Sequence, residues 1–216
     1  MNEQNYSLLL EKTIKEIELS KDRPRLLLHA CCAPCSSYVL EYLAKYFDIT
    51  IFFFNPNISP QSEYTFREQE LERLIKEMPL PSSVNIISGR YCPEEFYEMS
   101  KGLEELPEGD SRCKKCYRLR LRESAMVAKE MGFDYFTTTL SISPYKNALW
   151  LNTIGEEEGN SVGVKYLFSD FKKKNGYKRS CELSAEYGLY RQDYCGCEFS
   201  RRDAERRKNT EKIKKE

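Results

Sequence analysis

The sequence predicts an α/β fold: an open, doubly wound, mostly parallel sheet of about five strands with helices on both faces, a Rossmann-like three-layer arrangement. Two observations predict it. Short apolar or β-rich runs alternate along the chain with longer segments whose apolar residues recur at helical spacing. Hydrophobic residues make up 40% of the 216 residues, and no repeat or low-complexity linker divides the chain. We therefore expect a single domain over residues 1–216.

Five short runs of apolar, β-branched or aromatic residues predict the strands. In chain order they are residues 25–30, 48–54, 84–88, 134–140 and 164–168. The first is a run of leucines, the second ends at Asn55-Pro56-Asn57, and the fourth is rich in threonine and aromatic residues. The first two strands and the helical segment between them predict a β-α-β unit, so the strands should pair in parallel.

The remaining segments predict helices, because their apolar residues recur every three to four positions. In chain order these are residues 6–19, 36–47, 62–78, 93–101, about 114–131, a segment after Ser143-Pro144, residues 181–187 and a C-terminal helix. Asp22-Arg23-Pro24 closes the N-terminal helical segment, residues 1–22. Residues 200–216 form a basic helical tail.

Membrane insertion and secretion are not indicated. Purely apolar stretches such as 26–28 and 51–54 are far shorter than the roughly 20 residues that a membrane-spanning helix needs. The first five residues lack the basic and apolar regions of a signal peptide. We expect no membrane helix and a cytoplasmic location.

Charge is balanced overall, with 34 basic and 34 acidic residues, but it is unevenly distributed. Residues 112–122 carry six basic and no acidic side chains, and residues 165–179 and 201–216 are also mainly basic. The basic residues of interest are Arg112, Lys114, Lys115, Arg118, Lys172, Lys173 and Lys174. This segregation suits a phosphate-rich partner, and it is equally compatible with ordinary solvated helix faces.

Nine cysteines in a chain without a leader indicate metal or redox chemistry rather than a disulfide framework. Seven of them fall into three groups: Cys31, Cys32 and Cys35; Cys113 and Cys116; and Cys195 and Cys197. Cys92 and Cys181 stand alone, and we expect them to be packing residues.

The first group follows the first strand, where ligands bind in open α/β sheets, and the helix that begins there favours thiolates. This turn contains no Walker A loop, no pyrophosphatase loop and no G-x-G-x-x-G motif, which argues against nucleotide chemistry. His29, the only histidine, is either a hydrogen-bonded core residue or a metal ligand or proton donor.

The first two groups of cysteines could together hold a tetrahedral zinc ion or an iron–sulfur cluster. The long separation from Cys35 to Cys113 argues against a local zinc knuckle, and the spacing alone favours Cys32, Cys35, Cys113 and Cys116 as ligands.

Cys195 and Cys197 flank a single glycine, so a bridge between them would be strained and easily reduced. Such a pair suits a two-electron thiol/disulfide couple, with Asp193 and Tyr194 as proton sources. Alternatively, the two thiols are bystanders or ligands of the same metal.

Five ordered motifs carry a family resemblance. They are Leu-Leu-Leu-His-Ala-Cys-Cys-Ala-Pro-Cys at 26–35, Phe-Phe-Asn-Pro-Asn-Ile at 53–58, Arg-Cys-Lys-Lys-Cys-Tyr-Arg-Leu-Arg at 112–120, Asp-Tyr-Phe-Thr-Thr-Thr-Leu at 134–140, and Tyr-Arg-Gln-Asp-Tyr-Cys-Gly-Cys at 190–197. Together they resemble the epoxyqueuosine reductase QueH family, from about residue 25 to residue 200.

The resemblance implies a single catalytic domain for the last step of queuosine synthesis in tRNA, in which an epoxide is reduced to the cyclopentene and its oxygen leaves as water, without cobalamin. It implies a 4Fe–4S cluster on Cys31, Cys32, Cys113 and Cys116, a nearby mononuclear iron, and a redox-active disulfide of Cys195 and Cys197. Cys35 is then a ligand or neighbour of the second metal.

The partners expected on this basis are a tRNA carrying epoxyqueuosine in its anticodon loop and an electron donor that the sequence does not identify. The basic segments would hold anticodon-loop phosphates, and Tyr145 would stack on a base. Two alternatives are an iron–sulfur tRNA thiolation enzyme, whose pyrophosphatase loop is missing, and a zinc-stabilised RNA-binding module.

Overall fold

Five parallel strands form one open sheet in the computed structural model, which describes residues 4–213. The strands are β1 (Arg25–His29), β2 (Asp48–Phe53), β3 (Asn85–Ser88), β4 (Tyr135–Thr138) and β5 (Lys165–Tyr166). Their order across the sheet is β3-β2-β1-β4-β5, and all four pairings are parallel. The predicted fold class is confirmed, and the sheet's direction of winding reverses between β1 and β4.

The described residues contain eight α-helices and one 3₁₀ turn at Thr139–Ile142. The helices are α1 (Tyr6–Ser20), α2 (Ala33–Leu43), α3 (Gln61–Glu77), α4 (Pro93–Ser100), α5 (Ser111–Glu130), α6 (Ala148–Val162), α7 (Gly176–Glu186) and α8 (Glu198–Ile213). Helix α1 covers residues 6–20 of the predicted N-terminal segment 1–22, and α8 covers the predicted C-terminal tail 200–216 as far as residue 213. The outermost positions of the two segments, 1–3 and 214–216, lie outside the described residues.

Successive leucines of β1 point to opposite faces of the sheet, and each face is covered by helices. Leu26 and Leu28 pack with apolar residues of α1, α2 and α3, whereas Leu27 packs with residues of α5 and α6. All three leucines are fully buried, and each contributes about 1.5–3 kcal/mol through removal of its side chain from water. This double burial explains why β1 is a continuous apolar run.

Two boundaries differ from the prediction in ways that shape the site. α5 begins at Ser111 rather than near residue 114, because the Asp110 side chain accepts a hydrogen bond from the Ser111 amide. β4 ends at Thr138, whose side chain accepts from the Leu140 amide and starts the 3₁₀ turn. Within the described part of the chain, no helix is both long enough and apolar enough to cross a membrane.

Candidate metal and redox site

The first cysteine group lies where β1 ends and α2 begins. Cys32 is the N-cap residue of α2, with extended backbone, and Cys35 lies in the first helical turn. The sulfur atoms of Cys31, Cys32 and Cys35 lie within 4.8 Å of one another, and those of Cys31 and Cys32 are 3.7 Å apart. Among the side chains that the structure describes, this is the only group of three or more histidine, cysteine or acidic residues placed to hold a metal ion.

Hydrogen bonds within this group drive the pKa values of its thiols apart. Bonds from the Cys31 and Cys35 side chains to Cys32 hold the pKa of Cys32 well below its usual value. The same bonding raises the pKa of Cys31 to about 12 and that of Cys35 well above its usual value. The N-terminus of α2 also favours an anionic sulfur. Metal binding here would release protons, because metals bind thiolates rather than thiols.

The second cysteine group lies in the first two turns of α5. The Gly109 amide donates a hydrogen bond of 3.3 Å to Cys113 Sγ, and both Cys113 and Cys116 are buried. Burial raises the pKa of Cys113, and it raises the pKa of Cys116 to about 12. Like the first group, these thiols are placed at a helix N-terminus.

The third group, Cys195-Gly196-Cys197, forms the loop just before α8. The Ser59 amide donates to the Gly196 carbonyl oxygen at 3.0 Å. Gly196 has a φ of 120°, and a Cβ there would lie 2.9 Å from Ile58 Cγ1, so the position requires glycine. Cys195 is half-buried, whereas Cys197 is buried and its Sγ accepts from the Ser200 amide at 3.3 Å.

Cys195 connects the three groups because it lines two cavities. The larger cavity, of about 590 Å³, is also lined by Cys31, Cys32, Cys35, Tyr145 and Lys146. A narrow cavity is also lined by Cys113, Cys116, Cys197, Asn57 and Arg120. The seven grouped cysteines therefore converge at the carboxyl edge of β1 and β4, where ligands bind in this class of fold.

Four buried cations surround the converging cysteines: Arg67, Arg112, Arg120 and Lys146. Arg67 Nε pairs with Glu63 Oε1 at 2.8 Å, and Lys146 Nζ pairs with Glu108 Oε1 at 2.9 Å. Arg112 Nη1 donates to the carbonyl oxygens of residues 103, 104 and 106. Arg120 forms no ion pair with any described residue.

The donors of Arg120 provide a test of whether an iron–sulfur cluster fits this site. Its Nε donates to the Cys116 carbonyl oxygen at 3.3 Å, whereas Nη1 and Nη2 are buried without a hydrogen-bond partner. An uncompensated buried charge is strongly destabilising. Because a cluster bound by four thiolates carries net negative charge, the donor set here fits such a group.

Comparison with known proteins shows which family the chain belongs to. The family model described as "Epoxyqueuosine reductase QueH" matches residues 26–203. Proteins named epoxyqueuosine reductase QueH from Staphylococcus epidermidis and Streptococcus pyogenes are 46% and 43% identical, each over 91% of this chain and over 84% and 78% of their own lengths. That from Thermotoga maritima is 38% identical over 81% of this chain and 89% of its own length. The chain belongs to the QueH family.

QueH proteins are oxidoreductases, so the predicted enzyme class is confirmed. The match favours the reductase over the thiolation enzyme and the zinc-stabilised module. Cys31, Cys32 and Cys35 could hold a metal ion or cluster in this QueH fold. Cys31 and Cys32 belong to the ligand set that the resemblance implies, whereas the spacing argument selects Cys32 and Cys35.

The three residues considered for proton transfer occupy different environments. His29 is fully buried between the Thr138 hydroxyl, at 2.8 Å, and the Phe54 carbonyl oxygen, at 3.0 Å, and burial together with nearby Arg120 lowers its pKa to about 3. It is therefore neutral, with Nε2–H donating to Phe54. Asp193 and Tyr194 line the larger cavity.

Asp193 and Tyr194 differ in charge at neutral pH. The Lys208 ammonium, 2.6 Å from Asp193 Oδ2, lowers the pKa of Asp193, so this side chain is ionised and accepts rather than donates a proton. Burial raises the pKa of Tyr194, which keeps its hydroxyl protonated. Of the two, Tyr194 is the one that can donate.

The basic residues predicted to contact RNA are dispersed. Lys114, Lys115 and Lys173 are exposed, Arg118 pairs with Glu157 and Glu158, and Lys172 and Lys174 pair with Asp170 and Glu11. Arg112 faces the interior instead, and its guanidinium lies over the Phe199 ring at 4.6 Å. At the larger cavity the basic residues are Arg191, Arg207, Lys208 and Lys146.

The sequence pattern does not identify the buried cations Arg67, Arg120 and Lys146 as residues of the site. Arg120 stands four residues after Cys116, so it lies on the same buried face of α5. That spacing could have placed Arg120 at the site. Arg67 lies among charged residues of α3, and Lys146 lies in a loop, so neither carried a local signal.

Proposed function

We propose that this chain reduces the epoxide of epoxyqueuosine in tRNA to queuosine, with a 4Fe–4S cluster on Cys31, Cys32, Cys113 and Cys116, a second iron near Cys35, and Cys195 and Cys197 as a redox pair. The observation that carries the proposal is the convergence of three cysteine segments on two adjoining cavities, with Cys195 at their junction. The QueH match over residues 26–203 gives the reaction class.

The larger cavity provides the substrate site in this proposal. Its volume of about 590 Å³ lies in the range, roughly 300–1,000 Å³, in which pockets enclose small-molecule ligands. A base flipped out of a tRNA loop, with its epoxide-bearing ring, is a ligand of that size. Tyr145 is 75% exposed at the rim and offers a face on which the flipped base can stack.

Epoxide removal consumes two electrons and two protons and yields the alkene and water. When bound, the metal groups supply one-electron steps and a Lewis acid for the departing oxygen. Oxidation of the Cys195 and Cys197 thiols to a disulfide releases two electrons and two protons, which balances one turnover. An external donor must then reduce the pair again.

Lys146 and Tyr194 assist the departing oxygen in this proposal. Burial by itself lowers the pKa of Lys146, but interactions with Cys195, Tyr117 and Glu108 outweigh it and raise this pKa well above its ordinary value. The ammonium is therefore a fixed positive charge at the cavity wall. Such a charge stabilises negative charge that develops on the oxygen. The protonated Tyr194 hydroxyl is a proton source on the same cavity.

Basic side chains at the cavity mouth bind the tRNA backbone. Arg191, Arg207 and Lys208 line the mouth, so phosphates beside the flipped base would contact them. Lys114 and Lys115 lie on the exposed side of the first turns of α5, which carry Cys113 and Cys116 on their buried side. These exposed side chains would supply the positive charge that binds phosphates outside the cavity.

The proposal is tested by assaying epoxyqueuosine-to-queuosine conversion in tRNA with protein purified without oxygen. Single turnovers without added reductant are compared for the parent, Cys195→Ser and Cys197→Ser. Each serine variant should lose the first turnover, since one thiol cannot form the disulfide. Cys181→Ser, at a partly buried cysteine that lines neither cavity, is the matched control and should match the parent. A Cys195→Ser protein with the parental rate would remove the redox pair from the proposal.

A further inference from the structure

Arg120 is a buried arginine whose charge is not explained by the protein around it. Its side chain is fully buried in α5, one helical turn after Cys116. Only Nε has a partner, the Cys116 carbonyl oxygen, while Nη1 and Nη2 have none. Arg67 Nη2 and the Nε and Nη2 atoms of Arg112 also lack partners. Arg67 nevertheless has a carboxylate partner, and three carbonyl oxygens accept from Arg112 Nη1.

Asn57 is a second buried polar side chain without partners at the same place. It is 2% exposed, and both its amide nitrogen and its amide oxygen lack hydrogen bonds. Asn57 and Arg120 line the narrow cavity together with Cys113, Cys116 and Cys195. Arg112, whose Nε and Nη2 also lack partners, lines this cavity as well. Unused donors of three side chains therefore lie beside three cysteines, as an anionic group held by the thiolates would require.

We infer that Arg120 is a positioning residue that compensates the charge of the thiolate-bound cluster and raises its reduction potential, with the Asn57 amide as a second donor. The inference rests on the proposed function for the presence of the cluster. The two residues are not cluster ligands, and they act on the cluster through their charge and their hydrogen-bond donors.

The positive charge of Arg120 determines the direction of the effect on the reduction potential. A cluster becomes more negative when it is reduced, so a nearby fixed cation stabilises the reduced form more than the oxidised form. Hydrogen bonds to cluster sulfur act in the same direction. Full burial strengthens both effects, because water does not screen the charge. Without Arg120, the cluster should be harder to reduce.

The test compares Arg120→Met and Arg120→Lys in the cluster-loaded protein by redox titration of the visible absorbance. For Arg120→Met we expect at least a tenfold fall in the ratio of reduced to oxidised cluster at a fixed potential, which corresponds to about 59 mV for a one-electron couple. Arg120→Lys keeps the charge and loses the planar fork, so its potential should lie between those of Arg120→Met and the parent.

A second measurement uses thermal unfolding of chelator-treated, metal-free protein. Arg120→Met should melt at a higher temperature than the metal-free parent, because the substitution removes a buried charge that has no partner. Arg112→Met is the matched control, and it should melt at a lower temperature because the carbonyl groups around Arg112 lose their donor.

Two results would overturn the inference. One is a ratio of reduced to oxidised cluster in Arg120→Met that lies within twofold of the parental ratio at the same potential. The other is a metal-free Arg120→Met protein that melts at a lower temperature than the metal-free parent or fails to fold. Either would make Arg120 a packing residue. Failure of the proposed function looks different, because the parent itself would then bind no iron–sulfur cluster while the comparison of metal-free proteins still reads out Arg120.

Discussion

Arg67 Nη1, in α3, donates a hydrogen bond of 3.1 Å to the carbonyl oxygen of Cys195, which lies 128 residues further along the chain. The same guanidinium pairs with Glu63 and lies 5.3 Å from the centre of the Tyr194 ring. This buried side chain therefore holds the cysteine loop against α3. Because Cys195 lines both cavities, this contact sets where the proposed redox pair stands relative to the other cysteines.

Replacing Arg67 with methionine should lower kcat about 100-fold, since displacement of a reacting group by about 1 Å costs that much. Arg73→Met is the matched control: Arg73 lies in the same helix and also donates to a carbonyl oxygen, that of Tyr187, away from the cavities. Steady-state kinetics and melting temperatures should show lower stability for both variants and loss of kcat for Arg67→Met alone. Full activity of Arg67→Met would contradict the positioning role.

Lys146→Met should reduce kcat by about 10²-fold or more, because a buried positive charge at the cavity wall is removed. The dissociation constant for tRNA should change little, since Lys146 is buried and does not contact the phosphates outside the cavity. Lys165→Met is the control. Lys165 is the first residue of β5, so it lies at the amino ends of the strands, opposite the carboxyl ends where the cavities lie. Single-turnover rates and tRNA binding separate the two effects. A pure loss of binding, with kcat retained, would count against a role in chemistry.

Arg207→Ala should weaken tRNA binding and make it less sensitive to salt. Arg207 lines the mouth of the larger cavity, and each lost phosphate contact reduces the slope of log K against log salt by about 0.7–0.9. Lys129→Ala, at the far end of α5 from the cysteines, is the control and should keep the parental slope. Binding is measured between about 50 and 200 mM salt. Equal slopes for Arg207→Ala and the parent would place the RNA elsewhere.

The Glu70 carboxylate should make stability fall in acid. Its ion pair with Arg73, 3.0 Å away, and the Tyr190 amide lower its pKa from 4.5, so the folded protein favours the ionised form. The resulting stabilisation is present above pH 4.5 and is lost as the pH falls through the folded-state pKa, because unfolding then takes up a proton.

Glu70→Gln should therefore lose about 0.5–1 kcal/mol of unfolding free energy at pH 7 and show a flatter pH dependence below pH 4.5. Urea denaturation at several pH values measures both quantities. Glu72→Gln makes the same chemical change on the same helix, at a residue that forms no ion pair with the described side chains. If both variants kept the parental pH profile, the Glu70 pair would have no measurable effect.

The sequence was most informative where one rule governs the structure. The leucines of β1 are buried on both faces, so the strand was visible as an apolar run, and the cysteines after it had to lie at the carboxyl edge of the sheet. The sequence predicts a later start for α5, near residue 114, because Asp110, its N-cap residue, lies in an acidic segment where a capping role does not stand out.

The charged residues were hardest to place from the sequence. Arg112 and Arg118 belong to the same basic segment, yet Arg112 points inward to the carbonyl groups of residues 103–106 and Arg118 pairs with Glu157 at the surface. Helical spacing separates the two faces, but it does not reveal that the partner of Arg118 lies 39 residues further along the chain. The contact of Arg67 with Cys195 and that of Lys146 with Glu108 also join distant segments, so local pattern does not predict them.

The presence of the cluster is tested by the iron, zinc and acid-labile sulfide content of protein purified without oxygen, together with its visible spectrum. We expect about four iron and four sulfide per chain for the cluster, further iron at the second site, and broad absorbance that dithionite bleaches. A colourless protein with one zinc per chain would contradict this expectation and return the zinc-stabilised RNA-binding module as the better description of these cysteines.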